Sequence, residues 1–319
     1  SSLGKKKMEI NYKTDKVVSF SQYSTYKSCP HKWYLEYVKG YRDEKPNMYF
    51  VFGTAIHEAL QHYLQTMFDS SAKKADDINL NIFFKEKMIE EYTKYKSKHG
   101  HFATPEQLNE FYSDGVGILN WFKKHKRGRK SYFSTRKHEL KGIEVPLIII
   151  PIKERPNIKY MGYIDLIIYD KRSQDYTIFD IKTSTKGWSK WEKGNTTKHN
   201  QLYLYKQYYS ELFKVPLSKI NVEFYIVKRK VLDFDDENLM SPHQAYRVQN
   251  FKPVDNNLRL KRAKEDFTNF IRECYTVDGN PIDKDFDKKI DKPCDWCDFG
   301  KNRELCGAAL SPEEKFFSF

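Results

Sequence analysis

Apolar and polar positions alternate in a way that changes period several times along the chain. Two β-rich runs lie at its centre. Met161-Gly162-Tyr163-Ile164-Asp165-Leu166-Ile167-Ile168-Tyr169 is nearly continuous in apolar residues, and 176–183 is dominated by Thr, Ile, Phe and Tyr. The polar stretch 170–175 between them reads as the turn of a hairpin. Further strands are predicted over 141–153, centred on Val145-Pro146-Leu147-Ile148-Ile149-Ile150-Pro151, and over 219–230, with Ile220-Asn221-Val222-Glu223-Phe224-Tyr225-Ile226-Val227. Elsewhere the period is helical. Ile56, Leu60, Tyr63 and Leu64 follow an N-cap expected at Thr54, and Gln201, Tyr205 and Tyr208 form an i, i+4, i+7 stripe on a helix opening at Asn200. Helices are also predicted over 80–98, 105–124 and 254–274, within a segment 68–136 that reads as mostly helical. This order of elements predicts an α/β fold: a mixed sheet flanked by helices, with a helical insertion.

Charged side chains interrupt the central strands at three places. The two-residue period points Asp180 and Lys182 to the same face, and the hairpin brings Asp165 close to Asp180. Two carboxylates facing one point suit a hard divalent cation, and an adjacent lysine can orient or deprotonate water, which is the combination phosphodiester hydrolysis needs. Charged strand residues are also commonly solvated, so these three alone leave a surface hairpin equally open. His57 lies on the first turn of its predicted helix. His57, Glu58 and His62 superficially suggest a zinc protease, but histidines five positions apart diverge by roughly 140° around a helix and cannot readily share one ion.

Taken in order, His57, Gly162-x-x-Asp165, Asp180-x-Lys182 and Gln201-x-x-x-Tyr205 resemble the RecB-like branch of the PD-(D/E)xK nuclease superfamily. The resemblance implies the restriction-endonuclease-like core and a hydrolase that cuts nucleic acid. By its pattern His57, Asp165, Asp180 and the Ile181 carbonyl would bind Mg²⁺ or Mn²⁺, and Lys182 would position or activate the attacking water. Gln201 and Tyr205 match a motif associated with DNA positioning. Glu144 resembles an auxiliary acid of some relatives, although a surface glutamate is the simpler reading.

The five cysteines are Cys29, Cys274, Cys294, Cys297 and Cys306. An odd number with one close pair argues against a secreted disulfide framework. Cys294-Asp295-Trp296-Cys297 sets two thiolates within reach of one metal centre, and Cys306 follows nine positions later. Residues 19–34, which include Cys29-Pro30, resemble the iron–sulfur subgroup of RecB-like nucleases, including AddB-type subunits and CRISPR-associated RecB-like exonucleases. That resemblance implies a four-iron four-sulfur cluster held by Cys29, Cys294, Cys297 and Cys306, a clip between the first helical region and the tail. The gap before Cys306 departs from the common spacing, and a four-thiolate zinc site remains the alternative. Cys274, in the amphipathic run Phe267-Thr268-Asn269-Phe270-Ile271-Arg272-Glu273-Cys274, is expected in the core.

Composition adds a partner. Fifty-six Lys and Arg against 43 acids give a net charge of +13, which favours a polyanion. The densest basic run is 123–130, and 23 Tyr with 22 Phe supply rings for the core and for stacking on unpaired bases. No apolar stretch reaches the roughly 20 residues of a membrane span, and no signal-peptide pattern opens the chain, so an intracellular site of action is expected. No Gly-rich Walker sequence is present, so any unwinding would need a separate helicase. The expected organisation is an arm over 1–18, an N-terminal helical part over 19–67, a helical cap over 68–136, a nuclease core over 137–290 and a cysteine-rich tail over 291–319. The expected activity is exonucleolytic cleavage of single-stranded DNA or DNA ends in repair, recombination or replication. Its rivals are a catalytically weak DNA-binding recombination accessory and an RNA-processing nuclease.

Overall fold

A computed structural model of the protein describes residues 8–42, 45–125 and 132–316. Among the described residues the strands are β1 (Lys16–Val18), β2 (His138–Ile149), β3 (Ile158–Asp170), β4 (Tyr176–Ser184), β5 (Ile220–Lys228) and β6 (Val248–Phe251). The α-helices are α1 (Phe20–Ser28), α2 (Pro30–Trp33), α3 (Met48–Asp69), α4 (Ala72–Asp77), α5 (Leu80–His99), α6 (Pro105–His125), α7 (Lys190–Lys193), α8 (Thr196–Phe213), α9 (Asn257–Cys274) and α10 (Pro312–Phe316). The sheet is mixed. β4 runs antiparallel to β3 and parallel to β5, and β5 runs antiparallel to β6. β2 pairs with β3. Pro146 inside β2 lacks a ladder donor, which suits a strand paired on one side. The α/β architecture expected from the sequence is the one observed.

Several element ends differ from expectation. α3 starts six residues before Thr54, because the side chain of Asn47 caps it and accepts from the Phe50 N–H at 3.0 Å. Gly53 therefore lies within the helix, where a Cβ would come to 3.3 Å from Thr183 Oγ1; the helix passes close to β4 there. α8 likewise opens at Thr196, before Asn200, with Asn195 accepting from the Lys198 N–H at 3.3 Å. β2 begins at His138 and ends at Ile149, earlier at both ends than 141–153.

The chain divides into two compact units. The unit comprising 45–125, 132–147 and 163–261 contains the site-bearing core. Val51, Phe52, Ala55, Ile56, Ala59 and Leu60 of α3 pack with Phe84 of α5, Phe111 of α6 and the strand residues Leu166, Ile168, Phe179 and Ile181. Each of the buried Val, Leu, Ile and Phe side chains among them contributes roughly 1.5–3 kcal/mol of transfer free energy. Their parity along β3 and β4 puts Asp165, Asp180 and Lys182 on the opposite face, on which α8 packs.

The other unit comprises 8–42, 148–162 and 262–316. Lys16–Val18 of β1 pairs in parallel with residues 158–160 of β3. Buried Trp33 meets Phe270, Tyr275 and Phe286 at ring-centroid distances of 6.0, 5.6 and 5.2 Å. Cys274 is fully buried, as expected, and burial pushes its thiol well above the ordinary range.

Candidate active site

The hairpin sets the two acids. Leu166 pairs with Phe179 in the β3–β4 register, and one further step along each strand places Asp165 beside Asp180. The turn holds this register: Asp170 Oδ1 accepts from the N–H groups of Arg172 and Ser173 at 2.8 and 3.0 Å, and Gln174 takes a left-handed φ of 59°. Asp165 Oδ2 accepts from the Ile181 N–H at 2.7 Å. Asp180 is 3 % exposed, and its Oδ2 lies 2.9 Å from Lys182 Nζ. Lys182 donates to Gln201 Oε1 at 3.1 Å, and Gln201 Nε2 donates to the Tyr205 hydroxyl at 3.2 Å. A polar chain thus runs from Asp180 through Lys182 to α8.

His57 of α3 meets the same peptide, with the Ile181 backbone hydrogen-bonding its ring. Burial lowers the imidazole to about 4, with Lys182 acting in the same direction while Asp180 and the Ile181 hydrogen bond resist it. At neutral pH the ring is therefore uncharged and has a lone pair to donate. For Asp165, burial comes first and the closeness and hydrogen bond of Asp180 second; together they hold its carboxyl well above the ordinary range. Burial alone would lower Lys182, but the charge and hydrogen bond of Asp180 outweigh it and keep the ammonium protonated.

Two residues that sequence reasoning passed over or left at the surface belong here. Gln61, 6 % exposed, donates through Nε2 to Glu144 Oε1 at 2.7 Å and to the Asp165 carbonyl at 3.1 Å. Its signal was available: it follows His57 by four positions, as a polar residue among the buried Ile56, Leu60 and Leu64. Glu144 is exposed, as the simpler reading expected, but its carboxylate is tied into the site by Gln61, and its backbone takes a φ of 47°.

The donor set fits a hard divalent cation. Two neighbouring carboxyl groups, with Asp165 held above its ordinary range, a neutral imidazole and the Ile181 carbonyl meet at one peptide, and such oxygen-rich sets suit Mg²⁺ or Mn²⁺ by chemical type. Among the described residues, however, no three His, Cys, Asp or Glu side chains stand at ion-binding distance together. Asp165 is engaged with the Ile181 N–H and Asp180 with the Lys182 ammonium.

Other candidates separate from this centre. His62 stacks on Phe83 at 4.5 Å, consistent with rejecting a paired role with His57. Lys123 donates to the carbonyls of Asp76 and Ile78 at 3.2 and 2.7 Å, so this member of the basic run braces a helix connection. Residues 126–130 of that run lie outside the described residues, as do the first seven residues of the expected arm.

Cys29, Cys294, Cys297 and Cys306 are free, half-buried thiols of one unit. Cys29 Sγ accepts from the Lys289 N–H at 3.5 Å, and Cys294 Sγ both donates to the Lys289 carbonyl and accepts from the Asp291 N–H at 3.5 Å. The Cys297 N–H donates to the Cys294 carbonyl at 3.2 Å, and Lys288 Nζ donates to the Cys306 carbonyl at 3.2 Å. The Cys29 and Cys294 thiols thus meet at Lys289, whereas Cys297 and Cys306 are tied in through their backbones, and among the described residues the four sulfurs do not stand together as an ion-binding group.

An α/β core carrying paired acids and a lysine on adjacent strands defines a nuclease of the PD-(D/E)XK kind. The model of the PD-(D/E)XK nuclease superfamily matches residues 17–306, and the chain belongs to that superfamily. A candidate exonuclease from Eubacterium rectale is similar in structure, with 12 % identity, a TM-score of 0.48, and coverage of 93 % of this chain and 94 % of the other. Protein VC1899 from Vibrio cholerae is similar at 11 % identity and a TM-score of 0.18, over 83 % of this chain and 59 % of that one. Comparison with curated proteins finds no match. Among the described residues, no helix is long and apolar enough to cross a membrane.

Proposed function

We propose that this nuclease hydrolyses DNA, acting as an exonuclease on single-stranded DNA or DNA ends in repair, recombination or replication. The observation that carries the reading is the convergence of His57, Asp165, Asp180 and Lys182 on the Ile181 peptide. His57, both carboxylates and the Ile181 carbonyl would hold Mg²⁺ or Mn²⁺. When bound, such an ion supplies Lewis-acid polarisation of the scissile phosphodiester. Lys182, fixed between Asp180 and Gln201, orients the attacking water by hydrogen bonding and places positive charge beside the phosphate. Gln201 and Tyr205 position DNA indirectly, by setting where that ammonium stands; Tyr205 itself is 5 % exposed. The net charge of +13 supports a polyanionic substrate.

A four-iron four-sulfur cluster on Cys29, Cys294, Cys297 and Cys306 is part of the same proposal, with zinc as the competing occupant. The support is the meeting of the Cys29 and Cys294 thiols at Lys289, with Cys297 three positions after Cys294. Metal analysis of the native chain and of Cys29→Ser and Cys297→Ser separates the two ions by identity. Unchanged metal content and Tm in both variants would remove the cluster from the account. A separate helicase would supply unwinding where duplex is consumed.

The activity is tested with DNA and matched RNA strands, single and double, labelled at either end, in Mg²⁺, Mn²⁺ or chelator. The expected result is DNA cleavage progressing from an end, requiring both the ion and Lys182. Tight binding without turnover would return the protein to the accessory class, and preferential RNA cleavage would move it to RNA processing.

A further inference from the structure

The connection between the catalytic strand and α8 presents a tryptophan to solvent. Trp191, on α7, is 79 % exposed, whereas Trp188 three residues earlier is 8 % exposed and packs against Phe224 with ring centroids 4.8 Å apart. Isolated exposed apolar residues are common, but this one stands on a backbone turn that its neighbours hold in place. Gln249 clamps the Trp188 peptide from both sides, accepting from its N–H at 2.7 Å and donating to its carbonyl at 3.2 Å. Ser189 and Glu192 form a reciprocal capping box around α7. His199 hydrogen-bonds the Lys193 carbonyl at 2.7 Å, tying the end of α7 to α8. A ring exposed on a pinned turn loses little conformational entropy when a ligand covers it.

The surroundings indicate what that ligand is. Between Thr183 and Gln201 the chain carries four lysines, Lys186, Lys190, Lys193 and Lys198, against one acid, Glu192. Lys198 of α8 folds back on this connection: its ammonium lies over the Trp188 ring at 4.6 Å and 3.9 Å from Glu192 Oε1. Burial lowers Lys198, the charge of Glu192 opposes this, and the charge of Lys182 adds a smaller lowering. An exposed indole on a lysine-rich connection between β4 and α8, both of which carry site residues, matches the pairing of stacking platform and phosphate attraction by which proteins hold unpaired strands. A base-paired nucleotide has both faces already stacked and would gain little from such a ring.

We infer that Trp191 is a positioning residue that stacks on an unpaired base of single-stranded DNA near the scissile phosphate and so selects single strands over duplex. This rests on the DNA-nuclease reading. The test measures binding of fluorescein-labelled oligothymidylate and of a duplex of equal length, with Ca²⁺ replacing Mg²⁺. It is repeated with strands bearing one abasic nucleotide at successive positions. Trp191→Ala should lower single-strand affinity by about five- to a hundredfold, change duplex affinity less than about twofold and leave Tm unchanged. Trp191→Phe should recover most of the loss. At one position an abasic nucleotide should weaken the native protein and have no effect on Trp191→Ala, a coupling that a structural role would not produce. Native single-strand affinity and an unchanged abasic profile in Trp191→Ala would overturn the inference. Failure of the native chain to bind either DNA would overturn both this inference and the DNA reading beneath it.

Discussion

The two faces of β4 solve opposite problems with the same backbone. On one, Phe179 and Ile181 join the apolar core against α3, α5 and α6. On the other, Asp180 and Lys182 meet α8 through an ion pair and the Gln201–Tyr205 relay. The difference teaches that the apolar face fixes where the charged face stands. A one-residue slip of β4 would send Asp180 and Lys182 into hydrocarbon and Phe179 and Ile181 toward α8, so burial of Phe179 and Ile181 makes the catalytic register hard to lose. The charged face cannot stabilise itself comparably, since paired buried charges gain little over their desolvation cost.

The largest effect should come from the charged face. Lys182→Ala is expected to reduce cleavage by about 10²- to 10⁴-fold, while fluorescence anisotropy shows DNA affinity within about threefold of native. Parallel loss of binding and cleavage would recast the lysine as structural and break the contrast between the faces. Phe179→Ala should do the reverse. It removes a ring packed against Phe133 and Tyr225 at 5.7 and 6.2 Å and should cost about 3–5 kcal/mol in urea unfolding. Activity per folded molecule should stay within a few-fold of native.

Tyr205→Phe probes the relay with a smaller change. Losing the hydroxyl that accepts from Gln201 should leave Tm nearly constant and lower kcat by about three- to tenfold, in line with one neutral hydrogen bond. An unchanged kcat would mean that Gln201 holds Lys182 without help from Tyr205.

Much of the candidate site was legible from the sequence because its chemistry is ordered along the chain: His57, Asp165, Asp180, Lys182 and Gln201 each lie on an element whose period was readable. The mixed sheet was legible for the same reason. Element starts were less so. Asn47 and Asn195 are capping residues as strong as any Thr, but the apolar run Met48–Phe52 and the threonines at 196–197 carry no helical period of their own; packing on β4 and the cap bonds decide them. The spacing of Gln61 four after His57 marks it as a polar residue on the site side of α3, but its partners Glu144 and the Asp165 carbonyl are a three-way contact that no one-dimensional spacing encodes.

Glu223 offers the finest test, because it is a carboxyl on the apolar side. It pairs in register with Phe179, shares its parity with Tyr225 and Val227, and is 4 % exposed. Burial raises its pKa, and the attraction of Lys252 offsets only part of that. A carboxyl whose folded pKa exceeds its unfolded value favours the folded state below the unfolded pKa, and that contribution is lost as pH rises through the folded value. The native protein should therefore carry a penalty at pH 7 that is absent near pH 4. Glu223→Gln keeps the shape and removes the charge, so it should be more stable than native at pH 7 by something on the order of 1 kcal/mol, with the two converging toward pH 4. Unfolding curves at both pH values measure this directly. A pH-independent difference between the two chains would show that Glu223 is charged at no cost, and that the apolar face of the sheet tolerates ions as readily as the catalytic one.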